Sequence, residues 1–161
     1  MKKIMSSILA AVLIAVILAG CTPVKSGEQY SAEFPYDPLQ YMLFIKKEVS
    51  AVANRLSTCA GLAVNVANDH YPADRAAKTT SDGLAVIKQC HESVQIMRPP
   101  AEYIEVRESV LMLLTTIESD MSDLIAALEE PSPDKETLTA LKNILLGDYA
   151  SITAAAGTYW I

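Results

Sequence analysis

The chain is short of the residues that build reactive centres: its 161 residues hold two histidines, three cysteines and one tryptophan. Neither His70 nor His91 has a glutamate three residues before it, which removes the Glu-x-x-His pairs of di-iron carboxylate bundles. His91 and Met97 would share one helix and cannot clamp opposite faces of a haem. The cysteines show no Cys-x-x-Cys or Cys-x-x-Cys-His spacing, so neither a thioredoxin-like site nor covalent haem attachment is supported. Cys90 and His91 are adjacent, so on a helix they point about 100 degrees apart and form no nucleophile–base pair. No metal, no cofactor and no enzymatic activity is expected. Positive charge is also scarce, with 13 basic against 19 acidic side chains and a formal charge of −6.

Long apolar runs are absent except at the start. Lys2 and Lys3 precede an apolar stretch from Ile4 to Leu18, and Leu18-Ala19-Gly20-Cys21 closes it. A cationic start, about fifteen mainly apolar residues and two small ones make a secretory signal, shorter than the roughly 20 residues a membrane span needs. The segment resembles the lipobox of prokaryotic lipoproteins. That resemblance covers residues 1–21 and implies diacylglyceryl transfer to the Cys21 thiol and cleavage between Gly20 and Cys21. It also implies a membrane-attached protein outside the cytoplasm. Thr22 after the cysteine resembles the outer-membrane sorting pattern of cells with two membranes; in a cell with one, the outer face of that membrane is implied.

Cleavage would remove residues 1–20. Thirteen basic residues less Lys2 and Lys3 leave 11 against 19 acidic ones, a formal charge of −8. That balance argues against nucleic acid and anionic lipid head groups as partners. Residues 21–37 read as the lipidated cysteine and a tether, since Pro23, Gly27 and Pro35 lie there with few aliphatics. The sixteen residues from Thr22 to Asp37 reach roughly 50 Å when extended.

Residues 38–161 read as one all-α domain, an antiparallel up-down four-helix bundle. The first helix runs from Pro38 to about Asp69, with Asp37 as its cap, Leu39, Met42, Val49, Leu56 and Ala63 on its core face, and Ile45, Val52, Cys59 and Val66 widening that face. In the second, Leu84, Ile87, Cys90, Val94 and Met97 share a side before Pro99-Pro100, but its start is unmarked. The third is the most regular, with Val110, Ile117 and Leu124 seven apart and Leu114, Met121 and Leu128 between them. Ser132 is the expected cap of the fourth and Pro133 its first residue, leading to Leu138, Leu145 and Ile152. The apolar faces are wide enough for a globular core, and no strand-like run competes.

Counting outward from the turns gives levels. With the first connection centred between Asp74 and Arg75, Cys59 and Cys90 are level and form a candidate disulfide, in a compartment where such bonds persist. With the second helix starting at Pro72 instead, they separate by about 10 Å. Arg107 falls on a core position beside His91 and Glu92, opposite Ala155 and Ala156. With Tyr159 these make a candidate ligand site, Arg107, His91 and Tyr159, for a small acidic or aromatic molecule. Set against it, Arg107 simply fills space and pairs with Glu92 or Glu108. Asp148 reads as a polar break near Thr115. Most aromatics, Tyr41, Phe44, Tyr103, Tyr159 and Trp160 among them, gather at the tether end as a plug with wet hydroxyls. The expected function is a lipid-anchored, non-enzymatic binding or interaction module of the cell envelope, with the membrane and an envelope protein as partners. A small-ligand carrier and a purely structural lipoprotein are the alternatives.

Overall fold

The computed structural model describes residues 37–157. Within them are four helices: α1 (Pro38–Ala67), α2 (Ala73–Ile96), α3 (Ile104–Glu129) and α4 (Lys135–Gly157). A 3₁₀ turn, Ala101–Tyr103, leads into α3. Each helix packs on its chain neighbours, and α4 closes the ring against α1. The domain is the expected up-down four-helix bundle. Residues 1–36 and 158–161, with the lipobox, Cys21, the tether, Tyr159 and Trp160, lie outside the described residues.

Proline starts α1, where a missing N–H costs nothing. Asp37 supplies the carbonyl that accepts from the Tyr41 N–H at 3.0 Å, while its side chain makes no cap bond. At the other end Asp69 takes a positive φ of 58°. Its N–H reaches Val66 O at 2.9 Å and the His70 N–H reaches Asn65 O at 2.8 Å. That pair is the Schellman arrangement, and aspartate is among the few residues that tolerate its left-handed position. The chain turns sharply and α2 starts at Ala73. For α4 the cap is Asp134, two residues beyond the expected Ser132: its carboxylate accepts from the Thr137 N–H and hydroxyl at 2.7 and 2.8 Å. Those bonds, the backbone one first, hold the Asp134 carboxyl below its ordinary value.

The core follows the periodicity most closely on α3, where Val110, Leu114, Ile117, Met121, Leu124 and Leu128 are all buried. Each such side chain contributes about 1.5–3 kcal/mol when fully withdrawn from water. The start of α1 departs from the expectation. Leu39 is exposed and Met42 half-buried, while Tyr41, Phe44 and Glu48 turn inward beside the expected Ile45. A strict seven-residue count drifts by about 20° per heptad on a straight helix, and over two heptads the core face moves to the neighbouring row. Tyr41 stacks near Phe44 and Tyr103, with ring centroids at 6.3 and 5.6 Å. The aromatic plug is present in these three rings, but the Tyr41 hydroxyl is buried without a partner among the described residues, not wet. Burial pushes it up to about 12, with Arg107 acting the other way.

The expected Cys59–Cys90 bond is corrected by the same turn. Both cysteines are buried and free. Cys59 lies against Gly83, where an added Cβ would stand 3.3 Å from its sulfur, and against Thr80. Cys90 lies against Glu48. Gly83 and Cys90 are two turns apart on α2, so the sulfurs sit at levels separated by about 10 Å, beyond the roughly 7 Å Cα limit for a disulfide. The reason is the early start of α2 at Ala73, the alternative register weighed above. Both thiols are therefore expected to stay unreactive toward a thiol reagent in the folded chain. Both should react on denaturation, with no mass change on reduction; a gain of two mass units would show the bond instead.

Candidate functional site

Arg107 sits in the first turn of α3, where the chain has just left α2 through Pro99-Pro100. The last carbonyls of α2 have no helical partners of their own. The Arg107 guanidinium supplies them, its Nε donating to Val94 O at 3.2 Å and its other arm to Gln95 O. A cation at a helix C-terminus also meets the negative end of the dipole. Neither Glu92 nor Glu108 is its partner in these bonds. The planar fork caps α2, and the half-buried Arg107 is held there.

His91 lies on α2 with its Nδ1 2.6 Å from Glu118 Oε1 on α3, both side chains about a quarter exposed (23% and 24%). Glu118 and Arg107 are three turns apart on α3, about 16 Å along the axis. The structure therefore gives Arg107 and His91 separate partners, with Val94, which accepts from Arg107, one turn after His91 on α2. Tyr159, the third member of that candidate site, lies outside the described residues.

Two acidic positions have environments that sequence counting did not reveal. Glu48 is only 7% exposed, on the core face of α1 one turn after Ile45 and one before Val52. It accepts the Cys90 S–H, and burial first, then that bond and the carboxylate charge, push the Cys90 thiol up to about 12. Its neighbours Val52, Val94, Val110, Leu114 and Ile152 close around it. The signal was available in the spacing Ile45, Glu48, Val52, which puts a carboxylate in an apolar row. Asp148 on α4 faces Asp120 on α3, not Thr115, whose hydroxyl donates to Leu111 O. Burial first, then the Asp120 charge and the hydrogen bond between the two carboxyls, push Asp148 up to about 6. Its Oδ2 is buried without a partner among the described residues.

Open space lies on the surface. A cleft of about 350 Å³ between α1 and α4 is walled by Lys46, Ser50, Asn54, Tyr149 and Thr153, with Val49, Ala53 and Ala156 as its floor. A second, of about 510 Å³, opens between the start of α2 and the end of α3 among Asp74, Lys78, Asp82, Glu129 and Glu130. Among the described residues no three His, Cys, Asp or Glu side chains converge as a metal site requires. No helix among them is long and apolar enough to cross a membrane. Comparison of the chain with protein-family models, curated proteins and solved structures finds no match.

Arg107→Ala is expected to lower the unfolding free energy by about 2 kcal/mol, since two carbonyls lose a charged donor. Arg107→Lys should recover only part of it, because an ammonium cannot span both oxygens; equal stability of all three chains in urea would show that the cap contributes nothing. For Asp148, the raised folded value means a stabilising contribution that is full below the ordinary value of 3.8 and is lost as pH rises through about 6. Asp148→Asn is therefore expected to stabilise the bundle by about 1 kcal/mol near neutral pH, a figure reduced for solvent screening. Near pH 4 it should have little effect, and an identical change at both pH values would contradict the carboxyl pairing.

Proposed function

We propose that this chain is a lipid-anchored protein of the cell envelope whose four-helix bundle works by binding or interaction and carries out no catalysis. The observation that carries the reading is the sequence Leu18-Ala19-Gly20-Cys21 behind a cationic, apolar start. The fold supports it in one respect: α1 begins at Pro38, so the bundle starts just after a tether-like stretch of sixteen residues. Acylation at Cys21 would place two or more chains in the bilayer, each methylene adding about 0.8 kcal/mol, enough for stable attachment.

A second reading, a carrier for a small acidic or aromatic molecule, is favoured by the α1–α4 cleft. Its size matches small-ligand pockets, and it combines an apolar floor with Lys46, Asn54 and the Tyr149 ring. In this form the ligand site shifts from Arg107 and His91, which are engaged with α2 and Glu118, to the opposite side of the ring.

Both readings meet in one experiment: native mass spectrometry of the full chain released into detergent from the membranes of a prokaryotic host. The expected product begins at Cys21 and carries acyl mass, while Cys21→Ser yields an unacylated chain. An intact Met1 start, or an unmodified Cys21, would sink the anchored reading. Extra mass lost on denaturation would favour the carrier.

A further inference from the structure

The two ends of the bundle differ. The start of α1, the end of α2 and the start of α3 lie at one end, and here Leu39, Leu43, Ile96 and Ile104 are 56, 54, 52 and 46% exposed. Leu39 and Leu43 are one turn apart on the outward side of α1, opposite Ile45 and Val52. At the far end the large exposed apolar side chain among the described residues is Val64, at 38%, and the exposed carboxylates Asp69, Asp74, Asp82, Glu129 and Glu130 outnumber the exposed Arg75, Lys78 and Lys135, the last of which pairs with Asp69 at 2.9 Å. Met112, Ile144 and Leu146 are exposed singly along the sides of the bundle, as is ordinary on a protein surface; the four at this tip share one end of the molecule with Asp37, Glu102 and Glu105, and the opposite tip has the larger excess of acid.

We propose that the end carrying Leu39, Leu43, Ile96 and Ile104 is a bilayer-contacting face that seats the bundle on the lipid surface with its acidic end pointing away. This rests on the lipid-anchored reading and adds an orientation to it. The occupant follows from the length of chain outside the described residues and where it joins: a lipidated Cys21 enters sixteen residues before Asp37, at this tip and not the other. A short tether holds the tip at high local concentration beside the bilayer, so weak apolar contacts suffice. A net charge of −8 would oppose electrostatic adhesion, and the contact needs none. Leucine and isoleucine side chains enter the headgroup layer, while the exposed Lys47 and Arg98 keep their charges at its surface. Glu102 and Glu105 at the same tip limit the depth to that layer. The far end, with its carboxylates at the last turn of α3 and the first of α2, is the end left for soluble partners.

The test uses the full acylated chain in vesicles of phosphatidylcholine and phosphatidylethanolamine. Single cysteines replace Leu43, Ile96, Ile104 and, at the far end, Val64. All four sites are exposed, and the buried Cys59 and Cys90 leave the new thiol as the one to label. A nitroxide at each site reports collisions with oxygen, which concentrates in lipid, and with a water-soluble nickel chelate. The expected oxygen-to-nickel ratio is several-fold higher at 43, 96 and 104 than at 64. Equal, water-like ratios at all four sites on an acylated chain would overturn the proposal alone, since the bundle would then stand off on its tether. Shielding of 43, 96 and 104 from both reagents would also overturn it, by showing that protein covers the face. A chain lacking acyl mass at Cys21 would overturn the anchored reading and this orientation together.

Discussion

The turn from Asn68 to Pro72 is the constraint on which the levels of the bundle depend. Helices pack side by side with little to stop them sliding by a turn, since a row of apolar side chains fits its neighbour almost as well one step along. What stops the slide here is the left-handed Asp69, whose N–H and that of His70 close on Val66 and Asn65. They reverse the chain in so few residues that α2 begins at Ala73. Gly83 then meets Cys59, its lack of a side chain allowing the approach, and Cys90 meets Glu48. The later helices inherit these levels, because α3 packs on α2 and α4 on both α3 and α1.

Along the axis the interior is uneven. The half nearer the tips of Asp69 and Lys135 holds Leu56, Met121, Leu124, Leu128 and Leu138, with Thr80 as its buried polar side chain, whose hydroxyl donates to Ala76 O. The other half holds a buried carboxylate at Glu48, a buried tyrosine hydroxyl at Tyr41 and the Arg107 guanidinium lying across the end of α2. Withdrawing such groups from water is costly even when they are paired. The polar half is also the one in which α1 begins.

That division makes sense of where chemistry is found and where it is not. The polar groups inside are spent on the fold: Arg107 on carbonyls, His91 on Glu118, Glu48 on a thiol. The open features are on the outside, in the α1–α4 cleft and at the two tips, one apolar and one acidic. Such an interior leaves the surfaces as the places where the proposed interaction role would be exercised.

The helices themselves were readable in the sequence. Proline at the start of α1, the Pro99-Pro100 break and the seven-residue rhythm of Val110, Ile117 and Leu124 act locally, within a few residues, and local rules depend on no partner. The hydrogen-bond partners of Arg107 and His91 were not readable. Placing Arg107 beside His91 required knowing how α2 and α3 align. Counting residues gives level but not direction, so it missed that the guanidinium would reach back to Val94 and Gln95. The cysteine pair failed for a related reason, since both registers were written in the sequence and only the turn at Asp69 chose between them. Glu48 sat in plain view between Ile45 and Val52, but its burial depends on a core face that drifts along α1. Sequence alone determined the elements, the ends that proline marks and the charge they carry. The tertiary structure decided register, which polar groups meet and which face each helix turns inward, because those depend on contacts between residues far apart in the chain.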